Sequence, residues 1–180
     1  MSGEEKSFLE QLDRTLQLRS VREQITPIIS RVQAELVQKT SALMTWDPIS
    51  LEVFPDPLPA GIRSSWVFVL RAGADTGAER HPNSHQRMMS MRGSGDMRTE
   101  CDGEWRSNLL VSDPIAPLER RWISIPQNVW HRPVMGEVDW AVVSFHTASD
   151  TALIEELPLD DEQPDRGTRT SAVYAGRAAR

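Results

Sequence analysis

The sequence has a single cysteine, no long apolar run and no excess of positive charge, and each absence limits the class of protein. One cysteine, Cys101, cannot build a disulfide framework, which fits a reducing cytoplasm. No run of about 18 apolar residues occurs, and the acidic start lacks a secretory signal, so neither a membrane span nor export is expected. The net charge of −6, with acids and bases mixed along the chain, argues against nucleic-acid binding, which needs a clustered basic face.

The length of 180 residues, 39% of them hydrophobic, suits one buried core and is short for two domains. Residues 1–46 are predicted to be a helical segment because apolar residues recur there at helical spacing. Thr26 can cap a second helix and Pro27 suits its first position, so we expect two helices or one helix broken at Pro27. Their apolar stripe should cover the outside of a sheet or a second subunit.

The pattern changes in residues 47–157, where short β-rich runs are separated by Gly, Pro, Asp and Asn. The run CDGE predicts a tight turn between two strands, with Gly103 supplying permissive backbone angles. Several short strands without intervening helices indicate an antiparallel sandwich or barrel. Residues 158–180 are polar and lack periodicity, so they are predicted to be a disordered tail.

The stretch ERHPNSHQRMMSMRG, which begins at Glu79, places a carboxylate and two histidines ahead of an apolar run. Glu79 and His81 are two residues apart, so in extended backbone their side chains share one face of the sheet. Pro82 favours extended backbone at His81. The stretch is either a polar loop that leads into a strand or half of a metal site that other residues complete.

This stretch resembles the first signature of the cupin superfamily. That signature usually reads His-x-His, then three or four residues, Glu, six residues and Gly. In the present chain Glu79 stands where the first His is usual, and Gln86 stands where the Glu is usual. His81 and Gly93 match the signature.

A later run, PQNVWH, resembles the second cupin signature, Pro-x-Gly-x-x-His. Asn128 stands where the Gly is usual, and Asn tolerates the left-handed turn conformation better than most residues. His131 matches. The resemblance implies a mainly β fold, a cupin-type antiparallel β-barrel (jelly roll) that follows the N-terminal helical segment and holds one divalent metal ion inside.

Carried over position by position, the resemblance implies that Glu79, His81 and His131 bind this metal. Two histidines and one carboxylate are the ligand set associated with non-haem Fe(II), which leaves positions open for substrate and O₂; Zn, Mn and Ni are alternatives. Gln86 is expected to order a water molecule or substrate beside the metal. His85 is expected to face the opposite side of the strand, and it becomes an alternative ligand if a bulge exchanges it with Gln86.

Within the superfamily the chain most closely resembles the thiol dioxygenases, such as cysteine dioxygenase. These enzymes have an N-terminal helical segment and a Ser-x-His-x-Tyr run on a late strand. The corresponding run here is SFHTA, in which Ala148 stands where the Tyr is usual, and the only tyrosine, Tyr174, lies in the predicted tail. The resemblance implies that His146, together with Ser144, carries a proton.

The predicted function is that of a mononuclear metal-dependent cupin enzyme, with Fe(II) dioxygenase-type oxidation of a small molecule. One alternative is a metal-dependent lyase, isomerase or cyclase of the cupin type. Another is a non-catalytic cupin that binds a small molecule. The expected partners are a small-molecule substrate and, as in many cupins, a second copy in a homodimer; neither nucleic acid nor a membrane is expected as a partner.

Overall fold

The computed structural model describes residues 2–55, 57–161, 164 and 167–171. The helices are α1 (Gly3–Gln17), α2 (Arg19–Gln38) and α3 (Leu118–Arg121), with a 3₁₀ turn at Leu51–Val53. The strands are β1 (Met44–Ile49), β2 (Ser64–Leu70), β3 (Gln86–Arg92), β4 (Ser94–Cys101), β5 (Glu104–Arg106), β6 (Leu109–Val111), β7 (Trp122–Ile125), β8 (His131–Met135), β9 (Trp140–His146), β10 (Glu155–Pro158) and β11 (Thr168–Ser171).

Two helices form the N-terminal segment, as predicted, but they are divided at Leu18 and not at Pro27. Leu18 has extended backbone angles, with φ −59° and ψ 132°, and these end α1. Pro27 lies inside α2 on its exposed side. Water can therefore satisfy the carbonyl group that the proline ring leaves without a donor, and α2 continues through this position. The prediction of a helix start at Pro27 was wrong.

Nine of the strands form two facing antiparallel sheets, and β10 and β11 form a separate two-stranded sheet. The first has the order β1–β2–β9–β3–β7, and in the second β4 pairs with β8 along one edge and with β5 and β6 along the other. The chain passes from one sheet to the other between β3 and β4 and again on either side of β8, which is a jelly-roll arrangement. The predicted fold class, an antiparallel β-barrel behind an N-terminal helical segment, is confirmed.

Side chains of the first sheet alternate between two cores, because successive residues of a strand face opposite sides. One core lies between this sheet and the helices, and includes Leu9, Leu12, Leu16, Ile25, Ile29, Val67, Val69, Met89, Val143 and Phe145. The other lies inside the barrel, and includes Trp66, Phe68, Met88, Met97, Leu110, Ile125, Trp140 and Val142. The helical stripe thus covers the sheet of its own chain.

Glycines make two of the turns between strands. Gly93 joins β3 to β4 with φ 77°, and a Cβ atom there would lie 2.5 Å from the carbonyl oxygen of Asp139. The predicted turn in CDGE is present between β4 and β5, where Asp102 and Gly103 both have positive φ. Gly93 thereby lets the chain leave the sheet that contains β3 and enter the facing sheet, which begins with β4.

The C-terminal part differs from the predicted tail. Thr168–Ser171 forms β11 and pairs with Glu155–Pro158, so part of the segment assigned to a disordered tail is an ordered strand. Residues 172–180, including Tyr174, lie outside the described residues. None of the described helices is long and apolar enough to cross a membrane.

Candidate metal centre

Glu79, His81 and His131 lie together at one end of the barrel interior. The backbone N–H of Glu79 donates to the carbonyl oxygen of His131, and the reverse bond is also formed, both at 2.8 Å. This pairing sets the two side chains on one face, with His131 Nε2 3.2 Å from Glu79 Oε1. The ligand atoms of all three residues lie within 4.8 Å of one another. Atoms that share an ion at about 2.1 Å each lie at most about 4.2 Å apart, so only small side-chain movements would be needed for all three groups to bind one ion.

Backbone carbonyl groups orient both imidazoles of the cluster. His81 Nδ1 lies 3.1 Å from the carbonyl oxygen of Ile154, and His131 Nδ1 lies 3.1 Å from that of Val129. A carbonyl oxygen accepts a hydrogen, so it fixes the proton on Nδ1 and leaves Nε2 with an electron pair. His131 Nε2 is buried and forms no hydrogen bond with a described residue. Two such imidazoles and a carboxylate are a donor set that fits a divalent ion.

Burial keeps the two imidazoles neutral. It lowers the pKa of His131 to about 4, although the hydrogen bond to Val129 and the charge of Glu155 act in the opposite direction. Burial and then the charge of His131 lower the pKa of His81, and the charge of Glu79 opposes this effect. Neutral imidazole is the form that binds a metal, so at pH 7 neither ligand has to lose a proton first.

The three predicted catalytic residues face the same interior. In the pairing of β3 with β9, Gln86 lies opposite His146, and Met88 lies opposite Ser144. Gln86, Ser144 and His146 are 4%, 0% and 1% exposed, and the His146 ring centre lies 5.2 Å from that of His81. Gln86 Oε1 is buried without a hydrogen-bond partner among the described residues. The structure therefore brings these side chains beside the three candidate ligands.

His146 is held between two hydroxyl groups. Its Nε2 lies 3.1 Å from Ser144 Oγ, and its Nδ1 lies 3.4 Å from Ser84 Oγ. Ser84 Oγ already accepts the backbone N–H groups of Thr147 and Ala148, so its own hydrogen can be donated to one of two acceptors, the carbonyl oxygen of His85 at 3.5 Å or, at the shorter distance, His146 Nδ1. In the latter arrangement His146 Nε2 carries a hydrogen and donates it to Ser144. Burial, with the nearby His81 and His131, lowers the pKa of His146 well below its usual value.

The structure does not bring His85 to this cluster. His85 faces the helical side of β3, where its Nε2 lies 2.7 Å from Ser124 Oγ and 3.9 Å from Glu5 Oε1. The irregularity of β3 lies at the far end of the strand, so no bulge exchanges His85 with Gln86. Its predicted role as an alternative ligand depended on that exchange, and the observed register contradicts it.

Two residues beside the cluster were not anticipated from the sequence. Glu155 is 2% exposed on β10, and its charge acts on both His81 and His131. Ser84, 1% exposed, lies next to His146. Glu155 comes close only because β10 packs at the end of the barrel, and no local pattern in the sequence predicts that contact. Ser84 lies within the first signature, but nothing in its immediate neighbours distinguishes it from a loop serine.

No family model matches the sequence, and neither does any curated protein sequence. Among solved structures the chain is similar to coconut allergen cocosin, with 18% identity, a TM-score of 0.47, and coverage of 63% of this chain and 28% of that one. It is also similar to oxalate oxidase in complex with glycolate, with 15% identity, a TM-score of 0.46, and coverage of 61% and 54%. It is similar as well to CapF with an inhibitor, with 17% identity, a TM-score of 0.45, and coverage of 71% of this chain and 31% of that one. The chain therefore spans about half or less of the length of these proteins.

Proposed function

We propose that the chain is a mononuclear metal-dependent cupin enzyme that oxidises a small molecule with O₂. Glu79, His81 and His131 would hold the ion, and Fe(II) is the ion that this ligand set favours. The observation that carries the proposal is the convergence of a carboxylate and two imidazoles, each imidazole oriented by a backbone carbonyl. When bound, such an ion lowers the pKa of a coordinated group and, as Fe(II), provides the site for O₂.

The chain's own residues would manage the proton and the position of the substrate. His146 is neutral and buried, and it can pass a hydrogen to Ser144 from Nε2 while Ser84 donates to Nδ1. In this tautomer His146 would donate a hydrogen bond through Ser144 to the bound substrate, and the proton that the substrate loses on binding would leave to solvent. The Gln86 side chain faces the barrel interior, and its amide oxygen has no hydrogen-bond partner among the described residues. This amide would therefore orient the bound molecule.

The run SFHTA resembles the late-strand run of the thiol dioxygenases, but one of their groups has no equivalent at the matching position. Ala148 stands in place of the tyrosine, and its backbone N–H is bonded to Ser84 Oγ. This difference favours a second candidate function. In that function the ion only polarises a carbonyl or carboxylate group, as in a lyase, isomerase or cyclase.

Elemental analysis of protein purified without a metal-binding tag is the first test. We expect close to one iron per chain in the wild type, and loss of the metal in Glu79→Ala and His131→Ala. His85→Ala is the matched control, because His85 lies on the same segment but faces the helices. Equal metal content in all four proteins, or none after anaerobic Fe(II) loading, would refute the site.

The second test separates the two enzymatic functions. The iron-loaded chain is screened for O₂ uptake with thiols and organic acids, and the same compounds are incubated under strict anaerobiosis. O₂ uptake that His146→Phe reduces supports the oxidative function. Turnover without O₂, or with Zn²⁺ in place of iron, supports the second candidate. Metal binding without any turnover would contradict both and would favour a non-catalytic small-molecule-binding cupin.

A further inference from the structure

Three arginines are sequence neighbours of the candidate site residues, but none of their side chains points into the site. Arg80 lies between Glu79 and His81, and Arg87 and Arg132 directly follow Gln86 and His131. Strand alternation turns all three guanidinium groups to the outside of the barrel. There each meets an acid: Arg80 Nε donates to Glu156 at 2.8 Å, Arg87 Nε to Glu5 at 2.7 Å, and Arg132 Nε to Asp75 at 3.0 Å.

The described groups that do face the interior are neutral or negative. Glu79 provides a carboxylate within the cluster, and Glu155 is buried near enough for its charge to act on His81 and His131. The remaining polar groups are imidazoles, hydroxyls and the amide of Gln86. None of the three flanking arginines joins them, because each is paired with an acid on the outside of the barrel. The bound ion would therefore be the main positive charge that a ligand meets from this part of the chain.

Gln86 presents a buried polar group on the interior face, opposite His146. Its side chain belongs to a residue that is 4% exposed, and Oε1 is buried without a hydrogen bond to any described residue. An unpaired buried amide is costly, and it is retained where a ligand or water completes its hydrogen bonds. Two neighbours of Gln86 in the barrel, Met88 and Ile125, are apolar and buried. The polar neighbour, His146, lies opposite Gln86 and has its ring nitrogens next to Ser144 and Ser84.

We infer that the site selects a small molecule with one metal-binding group and an uncharged, hydrogen-bonding tail that pairs with Gln86. This inference rests on the proposed function, since it requires an ion at Glu79, His81 and His131. A neutral donor group would release its proton to solvent on binding the ion, and Glu79 together with that single anion would balance the divalent charge even before the nearby Glu155 is counted. A second anionic group, such as a tail carboxylate, would meet no compensating arginine from the flanking positions.

A pair of thiols with tails of the same shape tests this inference. The probes are 3-mercaptopropionamide and 3-mercaptopropionate, which share the sulfur donor and differ in an amide against a carboxylate. Co²⁺-loaded protein is titrated anaerobically with each, following the sulfur-to-cobalt absorption band and the heat of binding. Elemental analysis first establishes one cobalt per chain, so failure of the proposed metal site appears before any thiol is added.

In the wild type we expect the amide to bind at least about tenfold more tightly than the carboxylate. Gln86→Leu should weaken the amide about tenfold and leave the carboxylate nearly unchanged, because one buried polar pairing is lost. Gln86→Lys should reverse the order of the two affinities. His85→Leu, which changes the adjacent residue on the opposite face, should alter neither. Gln86→Leu keeps the volume of the side chain, so it remains informative if the lysine variant does not fold.

Three results would overturn the inference while leaving the metal site intact. The first is equal or tighter binding of the carboxylate by the wild type. The second is an unchanged ratio of affinities in Gln86→Leu. The third is failure of the amide thiol to bind a fully cobalt-loaded chain.

Discussion

The metal-free chain should lose stability between pH 6.5 and pH 4, and His131 should account for a large part of the loss. Burial lowers the pKa of His131 from 6.5 to about 4 in the folded chain. Between these values the unfolded chain binds a proton at this residue and the folded chain does not, so protonation favours unfolding. The stability is fully present above pH 6.5 and is lost as the pH falls towards 4. Each pH unit corresponds to about 1.4 kcal/mol, which gives about 3 kcal/mol for this residue.

The assay is urea unfolding in a chelator, followed by tryptophan fluorescence at intervals from pH 7 to pH 4. His131→Gln keeps a neutral polar side chain that does not titrate, so its free energy of unfolding should fall by about 3 kcal/mol less over the same range. Part of the decline should persist in the variant, because burial also lowers the pKa values of His81 and His146. If wild type and variant decline in parallel, the assignment of this pH dependence to His131 is refuted.

Three further substitutions follow from the packing and the site. Gly93→Ala should lower the free energy of unfolding by about 3 kcal/mol, because the position has positive φ and the new Cβ would meet a backbone oxygen; an unchanged urea midpoint would contradict this. Asp13→Asn weakens the half-buried acid that pairs with the buried Arg121 and should cost about 2 kcal/mol, whereas Glu23→Gln in an exposed pair should cost less than about 0.5 kcal/mol; equal urea midpoints for these two variants would contradict this prediction. Gln86→Glu restores the acid usual in the first cupin signature and should slow metal loss to a chelator about tenfold, and faster loss would count against this account.

The ligand positions could be predicted from the sequence because they depend on local spacing. Glu79 and His81 are two residues apart beside a proline, and this fixes a shared face in any regular strand. The link to His131 came from resemblance to a second signature, and the pairing of its backbone with Glu79 bears out their proximity. Glu155 could not be predicted, because its approach depends on β10 packing against an end of the barrel that is built from distant strands.

The helical segment and the tail show where local patterns mislead. The pair of Thr26 and Pro27 is typical of a helix start, yet the exposed proline is tolerated inside α2. The actual division is at Leu18, where neither glycine nor proline marks the end of a helix. The polar segment that forms β11 lacks alternating apolar residues, since its pairing with β10 provides backbone hydrogen bonds and little apolar burial. The spacing of apolar residues predicts which side chains are buried. It cannot predict a strand or a helix end that depends only on the backbone.

The ion pair between Arg87 and Glu5 has a consequence for how the site could change during evolution. If β3 slipped by one residue, His85 would enter the barrel in place of Gln86 and offer a third imidazole to the ion. The same slip would turn Arg87 inward and separate it from both oxygens of Glu5, to which it donates at 2.7 and 2.8 Å. A buried guanidinium without an acid is costly. The ion pair between Arg87 and Glu5, on the helical side of the sheet, thus stabilises the observed register of β3. An insertion or deletion in this segment would therefore destabilise the fold unless helix α1 changed with it.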